Sequence, residues 1–225
     1  RNPKTLNSMN SLAAAYQSAG RLAEAVGLHE QTLKLRQEVL GDRHSETLSS
    51  MNNLAVAYSN EGRFAEALDL HEQTLSLMRE VLGDRHPSTL VAMKSVAVGY
   101  RHVGRLEEAV ALLEETLELD RAELGERHPG TLNTMNSLAV AYQFAGQYEE
   151  GRKLHEQTLS LSQEVLGDRH RATLNSMHAV ALAYQEVGQN EEGLVRQEQT
   201  LSLRQEVLGD RHPDTLNSMH SLALA

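Results

Sequence analysis

The stretch Val39-Leu40-Gly41-Asp42-Arg43-His44 decides how this chain is read. It returns at residues 81–86, at 124–128 as Leu-Gly-Glu-Arg-His, at 165–170 and at 207–212. The closing histidines His44, His86, His128, His170 and His212 stand 42 residues apart, with no insertion or deletion between them. A fixed period of that length is the signature of stacked supersecondary repeats, in which each repeat buries its apolar face on its neighbours.

Working outward from the stretch, Leu6, Met9, Leu12, Ala13 and Tyr16 are spaced by threes and fours and draw one apolar stripe on a helix. Pro3 suits the first turn of that helix, where a missing N–H costs nothing. Gly20 interrupts the pattern. A second helix then carries Leu22, Ala25, Leu28, His29, Thr32, Leu33, Arg36, Val39 and Leu40, and Gly41 stops it as a left-handed C-cap glycine does. Each repeat is therefore predicted as helix A (about 3–19), a tight turn, helix B (about 22–40) and a short turn through Asp42 and Arg43. The period sets the repeats at 3–44, 45–86, 87–128, 129–170 and 171–212, with a partial repeat at 213–225, all expected to form one solenoid domain over 1–225. The alanine series Ala25, Ala67, Ala109 becomes Gly151 and Gly193 in the later repeats. Glycine inside a helix costs ~1 kcal/mol against alanine, which predicts looser B helices there. The tyrosines Tyr16, Tyr58, Tyr100, Tyr142 and Tyr184 are expected to pack their rings on the next B helix with the hydroxyl at its edge.

Composition narrows the class. Among 225 residues, aromatics are 4% and tryptophan is absent, which suits Leu- and Ala-packed helices better than a sandwich or barrel. The absence of cysteine excludes disulfides, thiolate ligands and cysteine nucleophiles, and fits a cytoplasmic protein. No run approaches the ~18 apolar residues of a membrane span. A net charge of -10 argues against a non-specific nucleic-acid binder, which needs a basic stripe to displace counterions. The chain opens on Arg1 in mid-signal and stops at Ala225 in mid-pattern, so it is expected to be a piece of a longer array. Its final helix, with Leu216, Met219, Leu222 and Leu224, is too apolar for a dedicated cap.

The motif Met9-x2-Leu12-Ala13-x2-Tyr16 followed by Ala25-x3-His29, which recurs in similar form in every later repeat, resembles the tetratricopeptide pattern. The 42-residue period and the Leu-Gly-x-x-His-Pro junction are similar to the longer variant of kinesin light chains. A period of 42 also falls in the HEAT and armadillo range, but the Leu-Ala-x-x-Tyr series and the lack of a third short helix tell against those. The departures are the missing large aromatic in helix B (His29, His71, Leu113, His155, Gln197) and Ser45 and Arg171 in place of the junction proline.

The resemblance implies an all-α, right-handed superhelix of five helix pairs plus a terminal helix. It also implies that the exposed side of helix A touches an extended peptide on a concave face. On this chain those positions are Asn7, Asn10, Asn52, Lys94, Arg101, Asn133, Asn136, Phe144, Asn175 and His178. Asparagine offers both a donor and an acceptor, which suits gripping a peptide backbone. Lys94 and Arg101 form a local positive spot on an acidic protein, matched to an acidic side chain or a free carboxylate. The other reading is a regulatory or structural array that packs against further domains or self-associates through its C-terminal end.

Metal and catalytic chemistry find no support. The recurring histidines lie one helix pair apart, so they cannot converge on one ion. No serine has a histidine and a carboxylate that can be argued to join it. No Gly-x-Gly-x-x-Gly or Gly-x4-Gly-Lys-Ser/Thr stretch occurs, so neither an enzyme nor a cofactor is expected.

Overall fold

A computed structural model describes residues 3–223, with side chains from residue 5 onward; Arg1, Asn2, Leu224 and Ala225 lie outside the described residues. Those residues form α1 (Pro3–Ser18), α2 (Leu22–Leu40), α3 (Ser45–Asn60), α4 (Phe64–Leu82), α5 (Pro87–His102), α6 (Leu106–Leu124), α7 (Pro129–Phe144), α8 (Tyr148–Leu166), α9 (Arg171–Glu186), α10 (Asn190–Leu208) and α11 (Pro213–Ala223). No strand occurs among them. The fold is thus an all-α array of paired helices with a trailing helix, the solenoid class expected from the period. Odd-numbered helices are A helices and even-numbered ones B helices. The chain divides into two compact units, one up to Leu112 and one from Leu113.

The junction stretch works through its histidine. His44 Nδ1 accepts the Glu46 backbone N–H at 3.2 Å and so caps α3. His86, His128, His170 and His212 do the same for Ser88, Gly130, Ala172 and Asp214, at 3.0–3.2 Å. Each imidazole satisfies one of the orphan donors that every helix start exposes, the role Ser, Thr, Asp or Asn usually takes. Gly41, at φ +83°, ends α2 and returns its N–H to Gln37.

In the first unit, Leu48, Met51, Leu54 and Ala55 of α3 and Leu90, Met93 and Val96 of α5 are buried together with Ala25, Leu33, Ala67 and Leu75 of the B helices. Each fully buried large side chain contributes roughly 1.5–3 kcal/mol. Mid-helix threonines on the buried stripe return their hydroxyls to the preceding turn, as Thr32 does to the Leu28 carbonyl at 2.7 Å. In the second unit Leu132, Met135, Leu138, Leu174 and Val180 repeat the pattern.

Polar ties join consecutive repeats. Arg43 pairs with Glu80 at 2.7 Å and Arg127 with Glu164 at 2.8 Å. The tyrosine hydroxyls reach back rather than forward: Tyr58 donates to Glu30 of α2 at 2.9 Å and Tyr142 to Glu114 at 2.6 Å. The Tyr58 ring also carries the Arg63 guanidinium 4.1 Å above its centroid. Tyr58, Tyr142 and Tyr184, the last through Glu156, therefore bolt their repeats to the B helix of the preceding repeat.

The glycines that replace alanine have a geometric cause. A Cβ on Gly193 would stand 2.7 Å from Gln185 Cγ and 2.9 Å from the Ala181 carbonyl oxygen. On Gly151 it would stand 3.0 Å from the Ala139 carbonyl oxygen and 3.1 Å from Gln143 Cγ. Here helix A runs closer to its B helix than a methyl group allows.

Candidate functional site

In the first unit, α3 and α5 flank a cavity of about 350 Å³ with Met78 of α4 in its wall. Ser49, Asn52 and Asn53 line it from α3, and Val91 and Ala92 from α5. The Asn52 Oδ1 atom is buried there without a hydrogen-bond partner. Asn10, its equivalent one period earlier, accepts a hydrogen bond from Asn53 Nδ2 at 3.0 Å. Asn7 is engaged as well: its Oδ1 accepts from Arg36 Nη2 at 2.6 Å.

Lys94 and Arg101 are half-buried on α5, and burial pulls the Arg101 guanidinium below its ordinary value. The neighbouring His102 ring stacks on Phe64, centroids 4.5 Å apart and planes within 4°. Burial, and then the Arg101 charge, hold His102 below the ordinary imidazole range.

In the second unit a cavity of about 310 Å³ opens among α7, α9 and α11. Its walls are Val140 and Gln143, then Asn175, His178, Leu182 and Glu186, then Asp214 and Asn217; His155 and Arg204 of the B helices form its floor. Asn175 and His178 are among the helix A positions implied to face a peptide, and the fold gathers them at one place with Val140, Gln143, Leu182, Glu186 and Asn217. The Nδ1 atoms of His155 and His178 are buried and have no partner. Burial drives both imidazoles down to about 4, so they are neutral; for His178 the Arg204 charge adds to the effect. Burial also raises the Glu186 carboxyl above its usual range. The amide oxygen of Asn175 accepts from Arg204 Nη2 at 2.8 Å. Asn136 is half-buried with its Oδ1 unpartnered, whereas Asn133 and Phe144 are exposed, Phe144 at 59%.

The apolar stripe of helix B hides Arg36 and Arg204 as polar anchors, because both sit within it. Each is almost fully enclosed, at 4% and 2% exposure. A signal was present: each arginine has an acid ten residues on, Glu46 or Asp214, and a serine four beyond that.

No group of three or more metal-ligating side chains converges among the described residues. No described helix is long and apolar enough to cross a membrane.

The tetratricopeptide-repeat signature matches residues 4–80, 52–122, 95–150 and 136–192, and a second tetratricopeptide-repeat signature matches 173–214. The chain belongs to the tetratricopeptide-repeat family. Within that family it is similar to the nearly identical TPR-like repeats of a kinesin-light-chain-like protein from Podosopora anserina. The identity is 34% and the TM-score 0.83, over 92% of this chain and 97% of the other; a second structure of those repeats gives 34% and 0.81, over 92% and 98%. BtubC (BKLC) from P. vanneervenii shares the fold at 20% identity and TM-score 0.78, over 92% of this chain and 82% of that one. No curated protein matches the chain. By family and fold this is a non-catalytic tetratricopeptide-repeat array, an architecture typically used to bind peptides or proteins on its repeat surface.

Where the family pattern places a large aromatic in helix B, this member buries His29, His71 and His155, together with Leu113 and Gln197. Both ring nitrogens of His29 lack partners, while Gln197 Nε2 donates to Gln185 Oε1 at 3.0 Å. At this helix B position the tetratricopeptide fold is filled here by histidine, leucine or glutamine in place of an aromatic ring.

Proposed function

We propose that the helix A faces of this array hold an extended peptide segment of a protein partner, with Asn52 in the first unit and Asn136 and His178 in the second as hydrogen-bonding contacts. One observation carries the reading. Helix A positions scattered through the sequence meet at two cavities, each with a buried polar atom left unpartnered (Asn52 Oδ1 in one, His178 Nδ1 in the other). A buried unsatisfied group costs about 1–3 kcal/mol, and a ligand that satisfies it recovers that cost. Val140 and Leu182 supply the apolar wall from which such grooves gain affinity.

The finer part of the proposal is a ligand with an acidic side chain or a free carboxylate, drawn to α5 by Lys94 and Arg101, with Phe144 as a separate apolar contact of the second unit. A cytoplasmic setting goes with this reading. A peptide-library pull-down with the whole chain, repeated with Asn52→Ala, with His178→Ala and with Lys94→Glu/Arg101→Glu, tests it. Enriched sequences that disappear in the first two variants support the face, and loss of only the acidic sequences in the third supports the charge preference. A folded chain that enriches no sequence refutes it.

A second reading draws on α11. Leu216 is 52% exposed, although its counterparts Leu6, Leu48, Leu90, Leu132 and Leu174 are all buried. That exposed side favours packing against a further helix, of the same protein or of a second copy. Solution mass that rises with concentration, and falls back in Leu216→Glu, supports self-association.

A further inference from the structure

The repeats share their junction stretch and the helix A apolar stripe, yet one buried helix B position changes from repeat to repeat. It holds Arg36, Met78, Asp120, Ser162 and Arg204, all enclosed. What faces each residue changes with it. Arg36 Nη1 donates to Ser50 Oγ at 2.7 Å and to the Glu46 carbonyl at 3.0 Å, and Nη2 lies 3.5 Å from the Glu46 carboxylate. Arg204 repeats the hydroxyl and carbonyl contacts, with Ser218 at 2.6 Å and the Asp214 carbonyl at 2.8 Å, and holds Asn175 at 2.8 Å as Arg36 holds Asn7, while the Asp214 carboxylate pairs with Arg171 at 2.8 Å. Met78 has Ser88 and Ala92 at the same two places, and all three line one cavity. Asp120 accepts a hydrogen bond from the Thr134 hydroxyl, with Gly130 where the acid would stand. Ser162 is followed by Ala172 and by the buried Ser176. An acid therefore occurs at the Glu46 position only where the key residue is arginine.

We infer that this position is a junction key: the buried side chain of each B helix selects which helix A can stack on it, and so fixes the order of otherwise interchangeable repeats. The physical basis is the asymmetry between matched and mismatched burial. An arginine set against Ala92 and Ser88 lacks the carboxylate and the Ser50-type hydroxyl that Arg36 uses, and an enclosed charge short of partners is strongly destabilising. A methionine set against Ser50 and Glu46 leaves polar groups unpartnered. Apolar complementarity along helix A discriminates little among junctions, because Leu6, Leu48, Leu90, Leu132 and Leu174 and Ala13, Ala55, Ala97, Ala139 and Ala181 recur buried in all five repeats. Near-identical neighbours are where out-of-order stacking competes with the native fold.

The test is a coupling cycle on the whole chain. Met78→Arg is made alone and in a background carrying Ser49→Asn, Ser88→Glu and Ala92→Ser, which copies the set around Arg36; the background without Met78→Arg is the reference. Urea unfolding should show Met78→Arg raising the unfolding equilibrium constant roughly a hundredfold or more alone, with at least tenfold of that recovered in the matched background. The reverse exchange covers the case where Met78→Arg does not fold: Arg36→Met should be more damaging alone than with Asn7→Ser, Glu46→Ser and Ser50→Ala. Equal effects of the key substitution with and without its matched set, in either direction, overturn the inference.

Discussion

Replacing Gly193 by alanine separates propensity from packing. In a helix interior the change gains up to about 1 kcal/mol of intrinsic helix preference. The new Cβ in α10 would meet the Ala181 carbonyl oxygen at 2.9 Å and Gln185 Cγ at 2.7 Å. The glutamine can rotate; the carbonyl belongs to the backbone of α9 and cannot yield unless the helices part by several tenths of an ångström. Overpacking of that kind costs roughly 1–3 kcal/mol, so the net change is a loss of about 1 kcal/mol. Gly27 in α2 is the control, because a Cβ there meets nothing within 4 Å and Gly27→Ala should gain roughly 0.5–1 kcal/mol. Urea or thermal unfolding followed by circular dichroism at the helical band measures both variants. Opposite signs are expected. A Gly193→Ala protein with a raised midpoint refutes the argument, since it would mean that the helices can separate without cost.

Two further outcomes follow from the buried and capping imidazoles. His71 and His155 are held down to about 4 by burial, below the ordinary value of 6.5, so protonation favours the unfolded chain. Their contribution is intact above pH 6.5 and is lost as pH falls toward 4, which at pH 5 amounts to about 2 kcal/mol for each. His71→Leu, which copies the buried Leu113 of the third repeat, should flatten that slope in a pH series of urea midpoints; an unchanged slope counts against it. At the junctions, His86→Ala should lower stability by about 1 kcal/mol and His86→Asn by less than half of that, because asparagine also caps helices. Equal losses would show that the Ser88 N–H gains nothing from its partner.

The helix pairs were legible because the signals are local: stripes spaced by threes and fours, glycines after both helices and a histidine at every junction. The helix A positions that meet at the cavities were legible too, since a fixed period copies one face from repeat to repeat. Direction and depth were not. The tyrosines reach the preceding repeat because the stacking carries Glu30 beneath Tyr58, a relation between helices that neither helix encodes by itself. Gly151 and Gly193 suggested loose helices, whereas their cause is the approach of α7 and α9. Arg36 and Arg204 stand in an apolar stripe, and their partners lie ten to thirty residues away.

The asparagines that open helix A can be sorted by the same geometry. Asn7 and Asn175 present their amide oxygens to buried arginines, so each serves the junction first. Asn133 occupies the equivalent place in α7, but the key residue of the following B helix is Ser162, too short to reach it as arginine does. Asn133 is exposed, and its backbone carbonyl accepts the Ser137 hydroxyl at 3.0 Å. Asparagine is a mediocre helix former, so without an arginine to anchor, its presence there points outward to a ligand. Asn175→Ala should therefore cost about 1–2 kcal/mol of stability, because it takes a hydrogen bond from a buried charge. Asn133→Ala should leave the unfolding midpoint unchanged or slightly raised while weakening capture of the peptides enriched by the parent chain. If Asn133→Ala loses stability and keeps its peptides, the amide belongs to the scaffold in all three repeats, and the contact face begins deeper, at Asn52, Asn136 and His178.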